Sequence, residues 1–288
     1  MIKKFSYIIY KFLKFLDNIF YRIFKKSFLL IFPEFINKDS YKTVKILNND
    51  IKFFIPNNTV DWRVNTIFSK EPETMKWIDS FDSNEKFTFW DIGSNIGLYS
   101  IYAALIHEKN IEIFSFEPST SNLRTLSRNI SINNLQKNIN ICPFALGEHE
   151  NQFLSMNEST FSEGAALNTF GKNYDFEGKE FIAEHKYKIF GTTIDNMITS
   201  KILKVPNYIK IDVDGLEHLI LKNAKTCLSD VNLKSLLIEI NENFYDQFKT
   251  ILKIMDNFNF RTSAKEQNFE FAGTGKFSKT FNYIFVRK

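Results

Sequence analysis

Between Phe87 and Asn241, short β-prone runs alternate with longer stretches of helical periodicity, and the first of them leads straight into Trp90-Asp91-Ile92-Gly93-Ser94-Asn95-Ile96-Gly97. A strand that must turn at a glycine and feed a helix leaves few architectures open. Candidate strands lie at 87–92, 111–116, 139–145, 207–213 and 235–240, and candidate helices at 96–108, 120–134, 216–226 and 243–257. This alternation predicts an α/β, Rossmann-like fold: a mainly parallel central sheet with helices on both faces. Ligands of such sheets bind beyond the carboxyl ends of the strands. Phe281, Tyr283, Phe285 and Val286 predict a final strand.

Gly93 allows a tight turn and leaves room for a ligand against the main chain, and Gly97 permits close passage of helix and strand. The spacing is Gly-x-x-x-Gly preceded by Asp, whereas dinucleotide folds use Gly-x-Gly-x-x-Gly to seat a pyrophosphate on a helix N-terminus. Asp91 puts a carboxylate where that phosphate would lie. A carboxylate suits a cationic ligand with an amino group, and S-adenosylmethionine is both sulfonium and amine. Glu117, at the end of the next strand in Phe116-Glu117-Pro118, is placed to accept both hydroxyls of a ribose. A carboxylate near a helix start would also favour the helix dipole.

The third cluster is Ile209-Lys210-Ile211-Asp212-Val213-Asp214-Gly215-Leu216-Glu217-His218. Asp212 and Asp214 sit where a strand meets its following turn, and Glu217 and His218 open the next helix. Three acids exceed what capping needs. With the histidine they offer a general base for a hydroxyl nucleophile, or ligands for a cation. A divalent ion between Asp212 and Glu239 or Asn241 is one arrangement that adjacent strand ends would permit; neither the metal nor the identity of the base is fixed by these residues.

Taken in order, DIGSNIG, FSFEP, CPFALG, TTID, IKIDVDGLEHLILKNA and LLIEIN resemble the FkbM-type methyltransferase family over roughly Phe87 to Asn241, with weaker support from FSKEPETM. The resemblance implies a class I methyltransferase fold, S-adenosylmethionine as methyl donor, and a hydroxyl acceptor on a small molecule or on a sugar of a surface glycan. It implies that Asp91, Gly93, Ser94, Asn95 and Gly97 hold the methionine part, Glu117 the ribose, and Ala145 and Leu146 the adenine. Asp212 is expected to act as a cofactor-side or metal-binding acid, with Asp214, Glu217 or His218 as base and substrate contacts. The family often carries Glu at the position of Asp214, so the base sits about one methylene shorter. The competing readings are a noncatalytic membrane-associated interaction protein and a nicotinamide-dependent oxidoreductase.

Flanking segments divide the chain into 1–35, 36–86 and 87–288. Tyr41 to Pro56 predicts a hairpin turning at Asn48-Asn49-Asp50, and Glu71 to Phe81 a helix with Pro72 in its first turn. Residues 151–206 are polar and glycine-bearing and read as a substrate-loop insertion, with Phe153, Leu154, Phe161, Leu167 and Phe170 arguing against disorder. Cys142 and Cys227 are too few for a disulfide framework or zinc site, and the four His lack ligand spacing. A reducing cytoplasmic setting is expected.

Charge is concentrated at the front. Residues 1–35 hold seven basic side chains (Lys3, Lys4, Lys11, Lys14, Arg22, Lys25, Lys26) against Asp17 and Glu34, a net of five positive charges in a chain whose total is +4. The remainder is therefore net negative, and no nucleic-acid partner is expected. On a helical wheel the seven basic residues fall within an arc of about 140°, opposite Ile9, Phe12, Leu13, Leu16, Phe20 and Ile23. The expectation is a basic amphipathic helix ended by Pro33. It would lie peripherally on the cytoplasmic face of a membrane, or pack on its own domain or a second subunit.

Overall fold

The computed structural model describes residues 1–267 and 275–288. The chain begins with helix α1 (Ile2–Phe24), whose C-cap Lys25 is left-handed at φ 54°, and α2 (Phe32–Asp39) follows. Pro33 lies in the first turn of α2, where a missing N–H costs nothing, so it starts a second helix instead of ending the first. Strands β1 (Tyr41–Ile46) and β2 (Asn49–Phe54) form the expected antiparallel hairpin. Its turn is Leu47-Asn48, because Asn49 and Asp50 already pair with Ile46 and Lys45.

Helices α3 (Asn58–Asn65) and α4 (Pro72–Asp79) lead into the alternating region. There β3 (Phe87–Ile92), α5 (Leu98–His107), β4 (Ile111–Phe116), α6 (Thr120–Ile132) and β5 (Ile139–Cys142) follow in turn. The predicted strand at 139–145 stops at Cys142, and Ala145–Leu146 forms β6 in a different sheet. Next come β7 (Gln152–Glu158), β8 (Thr169–Phe170), β9 (His185–Thr192) and α7 (Ile194–Thr199). The chain then runs through β10 (Tyr208–Ile211), α8 (Glu217–Lys222), α9 (Lys225–Ser229) and β11 (Ser235–Asn241). It ends in α10 (Tyr245–Asn257), β12 (Phe260–Glu266) and β13 (Thr280–Arg287). The single helix expected at 216–226 is broken at Asn223, which caps α8.

The main sheet has seven strands in the order β12-β13-β11-β10-β3-β4-β5. The five from β11 to β5 are parallel, while β13 runs antiparallel to β11 and to β12. The fold is the expected α/β one. Along β3 the side chains alternate, with Phe87 and Phe89 in one hydrophobic cluster and Trp90 and Ile92 in the other, so both faces of the sheet are covered. From β3 the chain leaves to one side for β4, and β10 returns on the other. Strand order reverses between β3 and β10, and a crevice opens at their carboxyl ends.

The segment at 151–206 is not a bare loop. It contributes β7, β8 and β9 to a four-stranded sheet of order β6-β9-β7-β8. Register pairs such as Phe153 with Phe190 and Gln152 with Gly191 join residues far apart in sequence, and local periodicity does not reveal such pairing.

Candidate active site

Gly93 leaves β3 at φ +86°, and a Cβ there would stand 1.9 Å from the Asp212 carbonyl oxygen, so glycine alone lets the two strand ends meet. Asp212 N–H donates to the Ile92 carbonyl (3.0 Å). Gly97 is also at φ +86°, and a Cβ on it would come within 2.5 Å of Leu126 Cδ1. It allows the close approach of α6.

Three cavities meet at Gly93. The largest, about 320 Å³, is walled by Trp62, Arg63, Glu71, Glu239, Phe281 and Asn282. A second of about 70 Å³ lies among Glu117, Asn122, Phe144, Ala145 and Leu146. Gly93, Asn95, Asp212 and Asp214 line both, so the two join at the strand ends. A third, about 40 Å³, reaches Ser94, Lys70, Tyr99 and Lys210.

The Glu117 carboxylate accepts from Asn95 N–H (2.7 Å) and Ser119 N–H (2.8 Å), and burial pushes it up to about 8. Asn95 donates its amide to the Ala165 carbonyl (2.9 Å), while its buried Oδ1 has no partner among the described residues. With the apolar walls of Ala145 and Leu146, this set suits a nucleoside carrying a polar tail. Asp91 lies deeper. It is buried, accepts from Ser100 Oγ (2.6 Å), has one oxygen without a partner among the described residues and lines none of the three cavities.

A charged network that the motifs did not disclose fills the floor. Lys210 is 1% exposed and donates to Asp212 Oδ2 (2.6 Å). Glu71 is ion-paired with Lys70 and accepts from Tyr99 OH (2.7 Å). Burial opposes its charge, yet Lys70 and Lys210 hold its carboxyl below the usual range. Burial first, then Asp212 and Glu71, hold Glu239 well above that range. Asp214 is pushed to about 6 by burial and by Asp212, and it accepts from Leu167 N–H (2.7 Å). Two signals in the sequence pointed here: a lysine inside the apolar strand Tyr208–Ile211, and the Lys70-Glu71 pair before Pro72.

Oxygens of Glu71, Asp212 and Glu239 lie within 4.8 Å of one another, spacing that a cation could bridge. Lys70 and Lys210 already neutralise two of these acids, so the set does not fit a resident divalent ion. Asn241 is spent elsewhere, donating to the Phe176 carbonyl (3.1 Å) and accepting from Asn243 N–H (3.0 Å). Three more expected site residues, Gly97, Glu217 and His218, also fall outside the cavities. Glu217 accepts from Val213 and Gly215 N–H (2.9 and 3.2 Å) and from Gln247, tying down the turn that presents Asp214. His218, on α8, packs against Phe244 at the start of α10, and burial pushes it down to about 4.

A family model described as the methyltransferase FkbM domain matches residues 91–262, more than half of the chain. Among solved structures, a methyltransferase FkbM from Methylobacillus flagellatus KT is 16% identical, with a TM-score of 0.48 over 79% of this chain and 55% of that one. The chain thus spans little more than half the length of that relative. A precorrin-6y C5,15-methyltransferase from Geobacter metallireducens GS-15 is 12% identical, with a TM-score of 0.43 over 88% and 96% of the two chains. A SAM-dependent methyltransferase from Aquifex aeolicus is 11% identical, with a TM-score of 0.43 over 82% and 100%. No curated protein sequence matches. The family match sets aside the oxidoreductase and noncatalytic readings, and the chain belongs to the FkbM family of S-adenosylmethionine-dependent methyltransferases.

Proposed function

We propose that the protein transfers the methyl group of S-adenosylmethionine to a hydroxyl oxygen of a sugar, in a glycan or glycoconjugate held in the larger cavity. The observation that carries this reading is the junction: the slot lined by Glu117, Ala145 and Leu146 and a wider chamber share Gly93, Asn95, Asp212 and Asp214. The donor, when bound, supplies an electrophilic methyl carbon on a sulfonium. Glu117 would accept the ribose hydroxyls, Ala145 and Leu146 would wall the adenine, and Gly93, Ser94 and Asn95 would border the methionyl part. Holding oxygen, carbon and sulfur in line lowers the barrier by up to about 7–11 kcal/mol in favourable cases.

As the acceptor oxygen bonds to the methyl carbon, the carbon–sulfur bond breaks, its electrons stay on sulfur, and the hydroxyl proton must leave. Asp214 is the base this geometry favours. It lines both cavities, and its value near 6 leaves it ionised at neutral pH with useful basicity. Asp212 is bound to Lys210 and is a weaker candidate. A sugar is supported by the walls of the chamber, where Trp62 and Phe281 offer flat apolar faces beside Glu71, Glu239 and Asn282. Such a mixture suits a ring with apolar C–H faces and hydroxyl edges.

Mass spectrometry of the glycans made with and without the gene tests the reading. A mass increment of about 14 Da, one methylene, lost with the gene supports it. Unchanged glycans, with no methylated sugar formed by the purified protein, would overturn it.

A further inference from the structure

Helix α1 runs for 23 residues, and Asp17 is its one buried side chain. Most of the face opposite the lysines is uncovered: Ile9 is 44% exposed, Phe12 60% and Ile23 67%, with Leu13 and Phe20 partly covered. Asp17, the single acid on α1, is turned to another use. It accepts from Ser27 Oγ (2.7 Å), Phe28 N–H (2.8 Å) and Leu29 N–H (3.2 Å), and so folds the following chain back on the helix. Phe28 then packs against Phe20 on one side and Phe32 on the other, with ring centroids 5.6 and 5.7 Å apart. The fold-back adds Leu30, Ile31, Phe35 and Ile36, all exposed, to the apolar side chains of α1.

We propose that α1, its turn and α2 form one unit that lies flat on a lipid bilayer bearing anionic headgroups. This inference is independent of the acceptor reading. Two observations point to the lipid surface. The exposed apolar side chains are accompanied by Lys3, Lys4, Lys11, Lys14 and Arg22 on α1 and by Lys25 and Lys26 just after it, and with Asp17 consumed internally no other acid on α1 offsets them. Finally, no helix among the described residues is long and apolar enough to cross a membrane, so the unit rests at the interface, with aromatic side chains in the acyl boundary and lysines reaching to headgroup phosphates.

Sedimentation of the full chain with vesicles tests this. Vesicles of equal parts phosphatidylcholine and phosphatidylglycerol should carry the protein down, phosphatidylcholine alone should carry much less, and high salt should weaken the binding. Replacing three charges together, Lys4→Gln, Lys11→Gln and Lys14→Gln, should lower the partition coefficient roughly a hundredfold. The pair Phe12→Glu and Ile19→Glu, both exposed, should abolish binding. Calorimetric binding of S-adenosylhomocysteine should be unchanged in both variants, which shows that the fold survives. Failure of that binding in the unaltered protein would count against the catalytic reading and leave the lipid result standing. The proposal is overturned if anionic vesicles leave the protein in solution, if both vesicle types bind it equally, or if the charge variant binds as well as the original. It is also overturned if the full chain is a dimer that Phe12→Glu with Ile19→Glu splits.

Discussion

Lys210 occupies the middle of a fully buried strand, where an ammonium group can persist only with partners close by. Its partners are Asp212, Glu71 and Asp91, which keep it charged against the cost of burial. Lys210→Met should therefore leave buried carboxylates uncompensated and destabilise the fold by about 3–5 kcal/mol, measurable by urea unfolding. Asp214 behaves differently. Its folded value of about 6 lies above its ordinary 3.8, so the folded protein binds that proton more tightly than the unfolded chain does. The stability this contributes is complete below the ordinary value and is lost as pH rises through about 6. Activity should run the other way, falling as pH drops below about 6 because the base is then protonated. Asp214→Asn should lower turnover by roughly 10²–10⁴-fold and abolish that acid limb, without loss of stability at neutral pH. Full turnover in the variant would remove Asp214 from the chemistry. For Glu117→Ala, calorimetry should show S-adenosylmethionine binding weakened by roughly 1.5–3 kcal/mol.

The segment joining β7 to β8 closes over the crevice through specific latches. Asn122 holds both sides of it, accepting from Gly164 N–H (2.8 Å) and donating to the Ala165 carbonyl (3.2 Å). Arg63 Nε donates to the Gly164 carbonyl (2.7 Å), and Leu167 N–H donates to Asp214. Asn122→Ala should loosen this cover and raise the Kd for S-adenosylmethionine about tenfold, with proteolysis of the segment becoming faster; unchanged values for both would show the latch to be idle. These contacts explain why the segment reads as a loop in sequence. These backbone bonds go to residues 42 to 101 positions away, and none of them leaves a periodic trace. The core strands differ in this respect. In β3 both faces are apolar, so the sequence shows them directly.

The larger cavity is not contained in the family domain. Trp62, Arg63, Lys70 and Glu71 come from α3 and the segment before α4, ahead of residue 91 where the family match begins. Removing residues 1–39 should leave S-adenosylmethionine binding intact, since α1 and α2 line none of the three cavities, whereas removing 1–86 takes Phe53, Trp77, Ile78 and Phe81 out of the core that holds Phe89 and Ile96 and should abolish it by unfolding. Calorimetry on the two truncations decides this, and NAD should bind to neither. The parallel sheet, the Gly93 turn, the acids after β10 and the basic amphipathic helix are all legible in the chain as written. Each depends on a short-range pattern: strand and helix periodicity, a glycine where φ must be positive, charge sorted by helical angle. Which acids face the crevice is not such a pattern. Asp214 and Glu217 stand three positions apart, yet one lines the cavities and the other bonds the backbone of its own turn. The pairing of Lys210 with Asp212, the approach of Glu71, and the ending of α1 at Lys25 by the Asp17 fold-back all follow from contacts between segments. Such contacts are set by packing and burial in three dimensions, and a linear chain carries no record of them.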